Sequence, residues 1–251
     1  MPDVYIIGAG PGDPELITLK AVNKIKECKT VIYAGSLVSK DILTHCRKDA
    51  DIYDSASMVL GEIIEVIRKS TEGGEKTARL HTGDPCIYGA IKEQMLELDK
   101  LNISYEIIPG VTSLFAAAAA LQAELTAPEQ SQTIIISRIE GRTPVPDNER
   151  IEELSKHGGT FAFYLSVNRL DEVLDRFRAN GWGEDTPIAI VYRASWADEK
   201  ILRGTFADIS KQFESSDINK HALIIIGRAL SDTLEKYSKL YDKDFSHDYR
   251  K

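Results

Sequence analysis

The sequence predicts an α/β protein of two successive domains, and three observations carry that reading. Short β-branched runs alternate with segments of helical apolar spacing over about the first 115 residues, the pattern of parallel βαβ units. In the second half, pairs of strands follow one another without an intervening helix, as between Tyr192 and Lys200, so that sheet is expected to be mixed. A chain of 251 residues lies between one and two domains at about 150 residues each, and 43% hydrophobic residues suffice for cores of that size. The expected domains are residues 1–114 and 115–251.

Residues 4–7 form a β-branched run ending in Gly8-Ala9-Gly10-Pro11-Gly12, after which Leu16, Leu19, Ala21, Val22 and Ile25 recur at helical spacing. Residues 30–34 read as the second strand, 37–46 as helix and 51–53 as the third strand. Residues 58–69 carry Leu60, Ile63, Ile64 and Ile67 on one face, stop near Gly73-Gly74 and lead into a strand at 77–81. A helix at 87–98, a strand at 105–108 and an Ala-rich helix at 113–121, entered through Pro109-Gly110, complete the first half. In the second half strands are expected at 133–137, 160–165, 187–192, 200–202 and 222–226, and helices at 150–155, 167–180 and 206–213. The loop at 138–148 holds two arginines among Gly141, Pro144 and Pro146. The polar, aromatic tail at 236–251 reads as either a partly disordered end or an arm.

Composition removes several classes of function. Thirty-one basic against 39 acidic residues leave a net charge of −8 with no long basic run, which argues against a nucleic-acid or anionic-membrane partner. The three cysteines, Cys28, Cys46 and Cys86, stand far apart without metal-ligand spacing and read as reduced, buried thiols of a cytoplasmic protein with no metal site. No basic leader opens the chain, and no apolar stretch approaches the roughly 20 residues of a membrane span. Walker A, H-E-x-x-H and G-x-S-x-G motifs are all missing, so a reaction whose reactivity resides in a cofactor suits the chain best.

Three glycine turns follow strands, where open α/β sheets bind ligands. The first is no dinucleotide fingerprint: Asp13 stands where its last glycine belongs, and Ala34-Gly35-Ser36 where its acid belongs. It is a tight packing turn, a loop facing an uncharged or cationic ligand or, least of the three, a dinucleotide site. In the second, His81-Thr82-Gly83-Asp84-Pro85, Asp84 is either an N-cap or a ligand-facing carboxylate, while His81 reads as a packed residue. In the third, Pro109-Gly110-Val111-Thr112-Ser113, capping accounts for one hydroxyl and leaves the other for a ligand.

Gly8-Ala9-Gly10-Pro11-Gly12-Asp13-Pro14, then His81-Thr82-Gly83-Asp84-Pro85 with Tyr88-Gly89, then Ile108-Pro109-Gly110-Val111-Thr112-Ser113, resemble in order and spacing the tetrapyrrole methylases, S-adenosylmethionine-dependent enzymes of corrin and sirohaem biosynthesis. The likeness continues through Phe163-Tyr164-Leu165, Thr186-Pro187-Ile188-Ala189 and residues 222–227. It implies two α/β domains meeting at a cleft, S-adenosyl-L-methionine as methyl donor with S-adenosyl-L-homocysteine as product, a tetrapyrrole substrate and a homodimer. By position, Pro11, Thr82, Gly83, Asp84, Ile87, Thr112, Ser113, Leu165 and Ala194 match places that line the methyl-donor pocket in relatives, with Tyr88 and Gly227 as neighbours. At the Leu165 position a relative that methylates uroporphyrinogen carries methionine, a swap that conserves volume.

Gln132-Thr133, Glu140-Gly141-Arg142-Thr143-Pro144-Val145-Pro146, Trp196-Ala197-Asp198-Glu199-Lys200 and Lys239-Leu240-Tyr241-Asp242-Lys243 resemble the branch of the family that methylates carbon 11 of precorrin-4 or its cobalt form. The alternatives are methylation at another ring carbon, protein methylation like that of diphthine synthase, and a metabolite-sensing module without turnover. Such a substrate brings several carboxylates to an acidic protein. Arg138, Arg142 and Arg193 are the candidates to meet them, followed by Lys200, unless these are solvated surface charges. No general base is assigned; an enamine-like ring carbon needs orientation more than proton transfer.

Overall fold

The computed structural model describes residues 1–231 together with 233, 238, 245 and 246. The chain divides into two compact units, Met1–Ala116 with Arg193–Asp198, and Ala117–Tyr192 with Glu199–Lys251.

The first unit is built on five strands, β1 (Val4–Gly8), β2 (Thr30–Tyr33), β3 (Asp51–Asp54), β4 (Thr77–His81) and β5 (Tyr105–Ile108), in the order β3-β2-β4-β1-β5. Every strand pairing in this sheet is parallel. β1, β2 and β4 are buried along their whole length, as strands covered on both faces must be, and period-2 alternation deals their side chains to two cores. Tyr5, Ile7, Val31, Ala78 and Leu80 pack with Ala21 and Ile25 of α1 (Leu19–Glu27). Val4, Ile6 and Ile32 pack with Ile63, Ile64 and Ile67 of α2 (Leu60–Glu72) and with Ile91 and Leu98 of α3 (Ile91–Lys100). Thr18 caps α1 by accepting from Ala21 N at 3.2 Å.

Two polar residues share the second of these faces. Arg79 on β4 is buried with no carboxylate partner among the described residues; its guanidinium donates to Gln94 Oε1 (3.1 Å), Ser55 Oγ (3.0 Å) and Ile32 O (3.5 Å). Burial pushes its pKa down to about 10. His81, two residues on and also buried, has an Nε2 with no hydrogen-bond partner among the described residues.

The second unit carries β6 (Ile134–Ser137), β7 (Thr160–Phe163), β8 (Pro187–Tyr192), β9 (Lys200–Thr205) and β10 (Ala222–Ile226) in the order β6-β7-β10-β8-β9. β6 and β7 run parallel and the other pairs antiparallel, so the sheet is mixed, as expected. Its core is aromatic: Phe177 of α6 (Leu170–Ala179) meets Phe161, Phe163, Phe206 and Trp182 edge to face, with centroids 5.0–6.1 Å apart. Leu170, Val173 and Leu174 complete the buried stripe of α6. The other helices are α4 (Ser113–Ala120), α5 (Ile151–Leu154) and α7 (Ile209–Glu214).

The structure corrects the sequence reading in places. The helix expected from residue 87 begins at Ile91, because Tyr88 (φ 53°) and Ala90 (φ 48°) are left-handed and cannot continue a right-handed helix. The segment at 37–46 holds a short 3-10 helix, Lys40–His45, in place of an α-helix. Cys28 is buried and Cys46 half-buried, but Cys86 is exposed, on the turn after Pro85. Among the described residues no helix is long and apolar enough to cross a membrane. The arm at 236–251 and the motif at 239–243 lie largely outside the described residues.

Candidate functional site

The parallel register of β4, β1 and β5 brings the three glycine turns to one place. Gly8 pairs with His81, and Ile7 with Ile108, so the chain leaves all three strands at the same level. A Cβ on Gly8 would stand 2.6 Å from both the Cα of Gly110 and the carbonyl oxygen of Gly83, and one on Gly110 would stand 2.8 Å from Gly8 Cα. Three backbones from distant stretches of sequence are therefore in direct contact, which only glycine permits. The first two turns are also bonded to each other: Gly83 N donates to Gly10 O (2.8 Å), Gly10 N to Gly83 O (3.3 Å) and Ala9 N to His81 O (2.7 Å).

Asp84 joins the second turn to the third. Its Oδ1 accepts from Cys86 N (2.8 Å) and its Oδ2 from Gly110 N (2.9 Å). The side chain is half-buried, so each carboxylate oxygen retains acceptor capacity beyond these two bonds. Thr112 is buried and Ser113 half-buried, with Thr112 O accepting from Phe115 N and Ala116 N at the start of α4. Pro11 and Gly83 are buried, Ile87 is half-buried, and Thr82 and Tyr88 are exposed on the same turns.

A further segment belongs to this unit. Arg193–Asp198, the connection between β8 and β9, places buried Ala194 here and lays Trp196 on the first glycine turn. The indole Nε1 donates to Pro11 O at 2.8 Å, and Ser195 Oγ accepts from Asp13 N at 3.0 Å. The Arg193 guanidinium stacks 4.0 Å above the Trp196 ring and pairs with Asp198 Oδ2 at 2.6 Å.

The remaining sequence candidates lie in the second unit. Leu165 (φ 54°) is exposed on the turn after β7, and Gly227 (φ 141°) is buried directly after β10. Arg138 donates to the carbonyl oxygens of Thr143 (3.1 Å) and Pro144 (3.0 Å), so its guanidinium closes its own loop. Arg142, at the tip of that loop, is exposed and has no partner among the described residues. Lys200 pairs with Asp217 at 2.6 Å.

Little in the first unit is built for proton transfer or covalent catalysis. Burial, reinforced by the neighbouring Arg79 charge, pushes the His81 pKa down to about 3, so the ring is neutral at neutral pH. Desolvation, followed by the Asp84 carboxylate, pushes the Cys86 thiol up, so Cys86 is no activated nucleophile. No three His, Cys, Asp or Glu side chains gather as a metal site requires among the described residues. What the turns present is closely packed backbone, a half-buried carboxylate and hydroxyls.

Residues 3–210 match the family profile of tetrapyrrole (corrin/porphyrin) methylases. The chain belongs to that family. A relative from Methanocaldococcus jannaschii, a cobalt-precorrin-4 C(11)-methyltransferase, is 55% identical over 99% of this chain and 96% of its own length. The X-ray structure of a cobalt precorrin-4 methyltransferase, a cobalamin biosynthetic enzyme, superposes with a TM-score of 0.88 at 46% identity over 91% of this chain and 95% of that one. The structure of a uroporphyrin-III C-methyltransferase from Thermus thermophilus complexed with S-adenosyl homocysteine superposes with a TM-score of 0.74 at 25% identity, over 90% of this chain and 98% of that one. This tetrapyrrole methylase thus has the fold expected from its strand and helix pattern, a parallel sheet followed by a mixed one. In the sequence Trp196 stands out only as a family marker; the signal of its role is an indole beside Arg193 and Asp198 in a strand-to-strand connection. Nothing in the spacing marked Arg79, a cation inside what reads as an ordinary core strand.

Proposed function

We propose that this protein is an S-adenosylmethionine-dependent methyltransferase of corrin biosynthesis that methylates carbon 11 of cobalt-precorrin-4 or of its metal-free form. The observation that carries the reading is the contact of Gly8, Gly83 and Gly110 at the carboxyl ends of three adjacent parallel strands, in a chain of this family. When bound, S-adenosylmethionine supplies an electrophilic methyl group on a sulfonium centre. Side chains at Gly8 and Gly110 are excluded by neighbouring backbone, so the strand ends offer main-chain N–H and C=O groups at close range. Asp84 accepts from hydroxyl or amino groups with the lone pairs that Cys86 and Gly110 leave over, and Thr82, Ile87, Tyr88, Thr112, Ser113, Pro11 and Ala194 complete the methyl-donor surface of the first unit. The residues fit a group that needs hydrogen bonds and orientation but no acid or base from the protein. The protein acts in the cytoplasm as a homodimer, which light scattering tests by reading twice the mass of the chain.

The decisive experiment is anaerobic incubation of the purified protein with S-adenosylmethionine and either precorrin-4 or cobalt-precorrin-4. One added methyl group, located at carbon 11 by NMR, is the expected product, and the faster acceptor identifies the natural one. Binding of the methyl donor with neither acceptor methylated discards the substrate.

Two substitutions separate the roles. Asp84→Ala leaves Cys86 N and Gly110 N without their acceptor, so it costs about 1–3 kcal/mol of stability while the protein still folds. Its affinity for S-adenosylhomocysteine, read by calorimetry, falls about tenfold; an unchanged affinity removes Asp84 from the methyl-donor surface. Arg142→Ala takes an exposed guanidinium, unpaired among the described residues, from the 138–148 loop and is expected to weaken tetrapyrrole binding about tenfold with the methyl-donor affinity unchanged. Equal loss of both makes the arginine structural.

A further inference from the structure

The first glycine turn is not held by its own strand alone. Gly12 is buried, and the Cβ it lacks would fall within the edge of the Trp196 indole, 2.8 Å from Cγ and closer still to Cδ1 and Nε1. The same indole donates to the carbonyl oxygen of Pro11 at 2.8 Å, so one ring fixes both the position and the peptide orientation of Pro11-Gly12. The ring is itself held: Arg193 covers its face, Asp198 anchors Arg193, and Trp196 N donates to Arg193 O at 2.9 Å. Arg193 (φ 47°) and Ser195 (φ 71°) both adopt the left-handed backbone that costs a non-glycine residue energy, and such a conformation persists where the surrounding contacts over-determine it. Ser195 adds a second tether, through its hydroxyl to Asp13 N.

We propose that Trp196 is a positioning residue for methyl-donor binding: its indole clamps Pro11-Gly12, so that the backbone of the first glycine turn meets the methyl donor already in its bound geometry. The proposal rests on the reading that the methyl donor binds at these turns. A turn with an exposed edge and no second tether loses conformational freedom when a ligand orders it; the clamp removes that freedom beforehand.

The chain has two tryptophans, and the second supplies a matched control. Trp182 donates its indole N–H to Ser155 O at 2.8 Å, the same bond in the aromatic core of the second unit. Trp196→Phe and Trp182→Phe therefore remove the same chemistry from two places. In Trp196→Phe the dissociation constant for S-adenosylhomocysteine, measured by calorimetry, is expected to rise about tenfold, and KM for the methyl donor to rise more than kcat falls. Trp182→Phe is expected to lower the thermal midpoint and to change that dissociation constant by less than about twofold. In the wild type, titration with S-adenosylhomocysteine shifts the indole N–H resonance that disappears in Trp196→Phe and leaves the other in place. Wild-type binding with equal affinities in the two variants, or with a stationary Trp196 resonance, overturns this proposal alone. A wild type that binds no S-adenosylhomocysteine overturns the methyl-donor reading and this proposal with it.

Discussion

Replacing Gly110 by alanine is expected to destabilise the first unit by about 3 kcal/mol and to abolish methyl-donor binding. The added methyl group would meet the carbonyl oxygen of Gly83 and the Cα of Gly8, all backbone atoms, so no side-chain rotation relieves the contact. Either β5 shifts relative to β1, breaking a register that runs from Val4 opposite Tyr105 to Ile7 opposite Ile108, or the Gly83 turn moves and loses its bonds to Gly10. Both outcomes dismantle the place where the three motifs meet. Asp84 loses geometry as well, since Gly110 N is one of its two donors. The control is Gly141→Ala: nothing lies within 4 Å of that Cβ position, so the change should stay within about 0.5 kcal/mol. Urea unfolding of the two variants, with amide exchange followed in β1, β4 and β5, measures the difference. A Gly110→Ala protein within about 1 kcal/mol of wild type would show that the three-way glycine contact is not tight.

That contact also marks the boundary of what the sequence makes legible. Each glycine turn is readable by itself, because a β-branched run, a glycine and a helical pattern follow in order. Their meeting is not readable, since it depends on β4, β1 and β5 being neighbours at a common register, a property of the sheet and not of any one segment. The same limit applies to the start of α3. Ile87 and Ile91 fit one helical stripe, and apolar spacing carries no sign of the left-handed backbone at Tyr88 and Ala90 that delays the helix by four residues. Arginines illustrate a second limit. Arg138 and Arg142 look alike in sequence, four residues apart in one loop, but the first donates to backbone carbonyls of that loop while the second is exposed and unpaired among the described residues. Charge type is visible in a sequence; what the charge touches is decided by the loop's closure. The fold class and the mixed second sheet were legible because strand and helix periodicities differ over whole segments, where single-residue conformation averages out.

His81 gives the second large effect, through acid. Its ring is buried at 7% exposure on the same face of β4 as Arg79, and burial, with the Arg79 charge behind it, holds its pKa at about 3. In the unfolded chain the ring titrates near its ordinary value of about 6.5. Between these values the unfolded state binds a proton that the folded state refuses, so stability falls as the pH is lowered through this window and is fully retained above it. One proton corresponds to about 1.4 kcal/mol per pH unit, which amounts, with both ends of the window only half-titrated, to about 2 kcal/mol lost between pH 6.5 and 5 and about 4 kcal/mol by pH 3. The upper half of the window separates this effect from carboxylate titration, because the carboxylates whose folded pKa is lowered, such as Asp3 and Glu140, give up their stabilisation only as the pH falls below about 4.5. Unfolding free energies should therefore slope by about half a proton between pH 7 and 6 and by close to one proton between pH 6 and 5 in the wild type, and remain nearly flat in His81→Gln. Equal slopes in the two proteins would place the acid sensitivity elsewhere. A ring that refuses a proton down to about pH 3 also has no proton to give at neutral pH. For the residue that opens the second glycine motif this leaves a packing role, with its backbone carbonyl accepting from Ala9 N and its imidazole neutral beside a buried arginine.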